Sequence, residues 1–153
     1  MSHMSPETLD LMPLVPECSH EKMIAVAKTI WGEARGEPIE GQIAVACVIR
    51  NRVNDPAWWG SSFEEVCLKS GQFSCWKEEK AQLDDLDVCK EPSGRQCLWV
   101  AIGVVYNYLE DITRGADHYL AKWMLDKGVA PKWATTNKWS AEIGHQVFYK
   151  IGP

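Results

Sequence analysis

No apolar run in this 153-residue chain is long enough to cross a bilayer. The longest, around residues 43–49, falls far short of the ~18–20 residues a spanning helix needs, so membrane insertion is not expected. Positive charge is also scarce: 16 Lys and Arg stand against 21 Asp and Glu, a net charge of −5. A nucleic-acid binder would show a basic face, so none is expected. The sequence holds no C-x-x-C and no H-E-x-x-H, which removes the usual signals for a zinc ribbon, a thioredoxin-like motif or a zinc protease. Outside the first four residues the histidines are His20, His118 and His145, in unrelated contexts, so no metal and no cofactor are expected. Internal repeats are absent as well.

Apolar residues make up 46 % and charged residues 24 %, the composition of one ordinary folded domain. Met1-Ser2-His3-Met4 reads as a cloning remnant, and no signal peptide is visible. Residues 1–18 are therefore set aside as remnant and extension, and 19–153 are read as one domain. Six cysteines (Cys18, Cys47, Cys67, Cys75, Cys89, Cys97) allow three bridges. Cys67/Cys75 and Cys89/Cys97 have the spacing for local pairs. Cys47, in an apolar stretch, reads as a buried free thiol. Tryptophan is abundant, with eight copies spread along the chain. Some belong to the core, and the rest suit an aromatic groove for an extended ligand such as a sugar chain.

Along the chain, Ser19 can cap a helix over 20–31, whose apolar residues Met23, Ile24, Val26, Ala27, Ile30 and Trp31 follow the i, i+3, i+4, i+7 stripe. Gly32 weakens its end. Pro38 suits the first turn of a second helix, and residues 43–53 are apolar nearly all round until Arg50, as in a buried central helix. Ser61 and Ser62 each precede a glutamate by three, a capping-box signal for a short helix over 63–68. Residues 72–76 suit a strand, and 77–95 a charged surface excursion. A long amphipathic helix is expected over 94–114, stopped by Gly115. Residues 116–120 suit a strand, 122–137 a loop, and 143–149 a closing strand or hairpin.

The densest cluster of chemistry is Trp31-Gly32-Glu33-Ala34-Arg35-Gly36-Glu37. By residue type alone it is as compatible with a solvated loop holding a Glu–Arg pair. A carboxyl at the edge of an apolar helix, beside Trp31, also loses water. Desolvation favours the neutral acid, the form that donates a proton to a glycosidic oxygen.

This stretch continues into Pro38, then Glu40-Gly41-Gln42-Ile43-Ala44-Val45-Ala46 and Val48-Ile49-Arg50-Asn51-Arg52-Val53. Together they resemble the SleB-type cell-wall hydrolases, a family that includes spore cortex-lytic enzymes and phage endolysins. Three later pieces fit in the same order: Gln72-Phe73-Ser74-Cys75-Trp76, Gly115-Ala116-Asp117-His118-Tyr119, and Ile143-Gly144-His145-Gln146-Val147-Phe148. The resemblance spans about residues 20–150. It implies an α+β fold, a mainly helical lysozyme-like domain with a small β-sheet. It also implies peptidoglycan as substrate, cut between N-acetylmuramic acid and N-acetylglucosamine, with Glu33 as the catalytic acid.

A hydrolase needs a second carboxylate at ~5 Å or ~6.5–9.5 Å. Asp117 is the nearest candidate, and Glu37 and Glu40 read as loop acids. A lytic transglycosylase needs none, because the muramic 6-hydroxyl closes on the anomeric carbon and leaves a 1,6-anhydro end. That chemistry is favoured here. Tyr119 is expected to hydrogen-bond the substrate or the catalytic carboxyl. Gln72 and Ser74 are expected to line the cleft, Trp58 and Trp59 to stack on sugar faces, and Glu37 to join the substrate-binding set. His118 and Tyr119 are expected on opposite faces of a strand.

Four other readings compete. A muramidase would use a second carboxylate. A zinc amidase would need three metal ligands, and a cysteine peptidase would pair Cys75 with a histidine. A non-catalytic glycan-binding module would have no use for Glu33. The partners expected are peptidoglycan strands only, met by a monomer at the bacterial wall, in the periplasm or outside the cell. The lone catalytic domain suggests a phage endolysin, made in the host cytoplasm and released to the wall.

Overall fold

The computed structural model describes residues 20–152. The remnant and extension at 1–18, Cys18 and the proposed cap Ser19 lie outside the described residues. The described chain is α+β, helices first and sheet last. It runs through α1 (Glu21–Ala34), α2 (Ile39–Asn54), α3 (Phe63–Leu68), α4 (Cys75–Glu78), α5 (Lys80–Asp85) and α6 (Pro92–Val105). Then follow β1 (His118–Ala121), α7 (Lys122–Asp126), a 3₁₀ turn (Thr136–Lys138), β2 (Trp139–Ile143) and β3 (Gln146–Tyr149).

The stripe of α1 buries Met23, Val26, Ala27 and Ile30 against α6, α2 and α3. Each such aliphatic side chain contributes about 1.5–3 kcal/mol when fully buried. The expected end at 31 is too early: α1 runs through Gly32 to Ala34. Arg35 closes the extension: its backbone amide donates to the Trp31 carbonyl at 3.2 Å, and its Nη1 donates to the carbonyls of Trp31 and Gly32 at 3.2 and 3.5 Å, so the last turn is met by side chain as well as backbone. Helix α2 is buried nearly all round, as its sequence requires, because helices flank it on one side and β1 and β2 on the other. Pro38 stands at its N-cap rather than inside its first turn. Ser62 caps α3 by accepting from the Glu65 amide at 3.1 Å, as the capping-box pattern predicts.

Four expectations are corrected. Residues 72–76 form no strand: a loop leads into α4. The stretch 77–95 is more than a surface excursion, since it carries α5 and buries Leu83 and Val88. Residues 122–137 include α7 and the start of the 3₁₀ turn. The helix expected over 94–114 starts at Pro92 and ends at Val105. There Asn107 takes φ 62° and the chain folds back, so that Leu109 packs on Gly103. The periodicity reached past the helix because Leu109 covers the face one more turn would have covered. Arg50 locks this turn by donating to the carbonyls of Val104 and Leu109 at 2.9 and 2.8 Å.

The sheet is antiparallel in the order β1-β3-β2. β2 and β3 form a hairpin in which Ile143 pairs with Gln146 and Gly144 takes φ 59°, the left-handed start a two-residue turn favours. Among the described strands β1 pairs only with β3, which leaves its other edge free. Cys47, Cys67, Cys75 and Cys97 are free thiols, so neither local pair is bridged. Burial pushes Cys47 up to about 11 and Cys67 and Cys97 up to about 12, and these thiols act as small apolar residues.

Candidate active site

The cleft opens at the free edge of β1. It has a volume of about 360 Å³ and is lined by Glu33, Arg52, Trp58, Gly71, Gln72, Phe73, Ser74, His118, Tyr119 and Trp133. The last turn of α1 supplies Glu33, and the loop before α4 supplies residues 71–74. Strand alternation sends His118 and Tyr119 to opposite faces, yet both line the cleft.

Glu33 is half-buried and held at both oxygens. The Tyr119 hydroxyl donates to its Oε1 at 2.5 Å, and the Cys75 amide donates to its Oε2 at 3.2 Å. Burial and the Glu33 charge push the Tyr119 phenol well above its ordinary value, so the hydroxyl remains a donor. Trp31 is not the wall that desolvates Glu33. Its Nε1 donates to Ser93 at 2.8 Å, and its ring lies under Arg35 at 4.1 Å, beside a different depression. Tyr119 and the Cys75 amide stand against the carboxyl instead.

Arg52 lies beneath the cleft and was not anticipated. It is 5 % exposed and donates to the Asp117 carbonyl at 2.8 Å and to Gln72 Oε1 at 2.9 Å. Its guanidinium sits over Trp59 and Phe73. Burial lowers its pKa, and the nearby Tyr119 and Asp117 oppose that. The sequence signal was available: an arginine inside a helix apolar on all sides must find buried partners.

Asp117 does not offer a second catalytic carboxylate. It is 2 % exposed. Its Oδ1 accepts from the Ile151 amide at 2.8 Å and its Oδ2 from the Gly152 amide at 2.8 Å. His118 Nδ1 lies 2.9 Å from Oδ1. Burial alone would push this carboxyl up, but the hydrogen bonds from His118, Ile151 and Gly152 outweigh it and hold it well below the usual range. Among the described residues that line the cleft, Glu33 is the only carboxylate.

Two expected substrate contacts fall elsewhere. Trp59 is 1 % exposed and donates Nε1 to the Arg52 carbonyl at 2.9 Å, so it supports the floor and has no open face for a sugar. Trp58, 60 % exposed, and Trp133 present rings to the cleft. Glu37 is also outside the lining. It holds the β2–β3 hairpin, accepting from the His145 amide at 2.8 Å and facing His145 Nδ1 at 3.0 Å. Arg35 pairs with Glu79 rather than Glu37. Glu37→Ala is expected to cost about 0.5–1.5 kcal/mol of stability, the net loss of hydrogen bonds to a partner, His145, that water can reach. The rate on peptidoglycan should hold within about twofold, a tolerance set below the tenfold that 1.4 kcal/mol would bring. Thermal unfolding beside steady-state rates checks this, and a raised KM at unchanged melting temperature would return Glu37 to the binding set. No cluster of three or more His, Cys, Asp or Glu suited to a metal occurs among the described residues.

Glu33 is thus gripped at the end of a helix and faces an aromatic-walled groove. The chain belongs to the cell wall hydrolase family, whose sequence model matches residues 36–149. Glu33 lies three positions before that match begins. Among curated relatives, the spore cortex-lytic enzyme of Halalkalibacterium halodurans is 40 % identical over 78 residues, covering 45 % of this chain and 24 % of the relative. The spore cortex-lytic enzyme of Bacillus subtilis is 53 % identical over 38 residues, covering 25 % of this chain and 12 % of the relative. The chain thus spans a quarter or less of the length of these relatives. Among solved structures, the catalytic domain of the germination-specific lytic transglycosylase SleB from Bacillus anthracis superposes with a TM-score of 0.67 at 23 % identity, over 86 % of this chain and 96 % of that one. The catalytic domain of the Bacillus cereus SleB protein gives 0.61 at 27 %, over 91 % and 98 %. The likeness to both is one of fold across nearly the whole described chain.

Proposed function

We propose that this chain cleaves the bond from N-acetylmuramic acid to N-acetylglucosamine in peptidoglycan as a lytic transglycosylase, with Glu33 as acid and then base. The observation that carries this reading is the solitary carboxylate. Among the described residues Glu33 alone lines the cleft with an acid, and Asp117, the next candidate, has both oxygens filled by backbone amides. Protonated Glu33 gives its proton to the glycosidic oxygen, and the bond to the anomeric carbon breaks. The muramic 6-hydroxyl attacks that carbon, and its proton returns to Glu33. No water enters, so the product ends in 1,6-anhydromuramic acid and Glu33 is restored.

The Tyr119 hydroxyl and Cys75 amide fix the carboxyl through both half-reactions. Arg52 adds positive charge beneath the site when Glu33 is ionised. Gln72, Ser74 and Trp58 supply contacts along the groove, and the protein works as a monomer on glycan strands at the cell wall. A lytic transglycosylase domain of the same fold from Bacillus anthracis supports the reading.

Mass spectrometry of soluble products from purified peptidoglycan tests it. Anhydromuramoyl ends, roughly 18 Da lighter than hydrated ones by one water, are the expected result. Reducing muramic ends would instead establish a muramidase that recruits a second carboxylate.

A further inference from the structure

One of the contacts on Glu33 comes from a helix that cannot hold itself. Helix α4 is four residues long, far below the length at which a helix is stable alone. Its first amide, that of Cys75, belongs to the donors a helix leaves without an internal partner, and it donates to Glu33 Oε2 at 3.2 Å. Ser74 stands at the N-cap, but its side chain makes no capping bond, and Cys75 is the one buried residue of the helix. The next residue, Trp76, lines an open groove with Ile24, Leu68 and Lys80, so packing on that side does not fix its ring. A hydrogen bond does: the indole Nε1 donates to Thr29 Oγ1 at 2.9 Å.

Thr29 is fully buried. Its hydroxyl donates to the Ala25 carbonyl at 2.7 Å, so its single proton is committed and the oxygen meets Trp76 as an acceptor. Thr29 and Glu33 stand one turn apart on the same face of α1, and they hold consecutive residues of α4. Resting on the peptidoglycan reading above, we propose that Thr29 is a positioning residue for the Glu33 acid: it holds the Trp76 indole, the indole holds α4, and α4 holds the Cys75 amide against Oε2. Without that anchor the Tyr119 hydroxyl is left to grip the carboxyl at Oε1, and the acid can turn. The groove is anchored separately, since Gln72 accepts from Arg52 at 2.9 Å and Trp58 comes from another segment. Loss of the Thr29 hydroxyl therefore slows the chemistry and spares substrate binding.

The test compares wild type with Thr29→Val, Thr29→Ser and Trp76→Phe on soluble peptidoglycan strands. Thr29→Val keeps the volume and removes the acceptor. Its kcat should fall about tenfold, less than the roughly 10²-fold that a misplacement of about 1 Å can bring, with KM held within about twofold. Thr29→Ser keeps the acceptor and removes a buried methyl. It should lose melting temperature yet keep most of its kcat. A threonine that served packing alone would lose rate in step with melting temperature in both variants. Trp76→Phe should slow the enzyme as Thr29→Val does, and it stands in if the valine variant fails to fold. The double variant should be no slower than either single one, because both remove the same bond. Hydrogen exchange of the Cys75 amide, followed by NMR, is a readout without catalysis. It should quicken in Thr29→Val and Trp76→Phe and stay as in wild type in Thr29→Ser.

An unchanged kcat in Thr29→Val would overturn the proposal, as would equal losses of kcat in the valine and serine variants. Failure of the underlying reading looks different. Wild type would then release no glycan, and the exchange of the Cys75 amide alone would decide whether Thr29 holds it against Glu33.

Discussion

Glu33→Gln is expected to abolish peptidoglycan lysis while leaving the fold intact. The fall in kcat should be about 10²–10⁴-fold, the range for removing a positioned general acid. Stability should change little. The new amide oxygen can accept from the Cys75 amide, and the amide nitrogen can donate to the Tyr119 oxygen, so neither partner in the present grip is stranded. Turbidity loss of a wall suspension, read beside the melting temperature, is the measurement. A variant that lyses at the wild-type rate would move the acid elsewhere. Loss of lysis with a collapsed melting temperature would make Glu33 a structural residue. A glycan-binding module would show no lysis in wild type either.

Gly32→Ala is expected to be almost as damaging, although the residue touches no substrate. Glycine inside a helix ordinarily costs about 0.5–1 kcal/mol against alanine, so the substitution should stabilise. Here the sign reverses. A Cβ at Gly32 would stand 2.5 Å from Cys75 Cβ and 2.7 Å from Cys75 Sγ. The first of these atoms is fixed to the backbone and cannot swing aside. Helix α4 must move, and it takes with it the Cys75 amide that holds Glu33. The expected cost is about 1–3 kcal/mol, as for other overpacked sites, with a fall of about 2–4 °C in melting temperature per kcal/mol. Activity should drop at least about tenfold, the equivalent of 1.4 kcal/mol of misplaced acid. Adding Cys75→Gly to the alanine variant removes the clashing atoms and should restore much of both. A lone Gly32→Ala as stable and active as wild type would refute the close contact.

These residues also show how far the sequence reaches. Helix α3 was legible to the residue because its signal, Ser62 followed by Glu65, is local and complete. The central position of α2 was legible because only burial on all sides accommodates its apolar run. The end of α1 was not, because the last turn past Gly32 is closed in part by the Arg35 side chain folding back, a choice no propensity encodes. The start of α4 was read as a strand from its aromatic residues, while its real constraint is Glu33, 42 positions earlier. Within the site, Glu33 stood out through its motif. Gln72, Ser74, Trp58 and Tyr119 line the cleft with it. Trp59 and Glu37 carry the same residue types but serve the floor and the hairpin, and type alone does not separate the two uses. Arg52 depended on long-range packing and went unmarked.

The buried thiols have a consequence for where such a fold can operate. Burial holds the Cys67 and Cys97 thiols well above their ordinary value, which keeps them protonated at neutral pH, and the thiolate is the species that exchanges disulfides or is oxidised. Cys47, Cys67, Cys75 and Cys97 are all enclosed by the core. They are therefore unreactive in a reducing cytoplasm and in an oxidising exterior alike. Their packing requires no oxidant during folding and offers no reductant a bond to break. The same helical core can assemble in one redox environment and be delivered to another without exchanging a single covalent bond at these four sites.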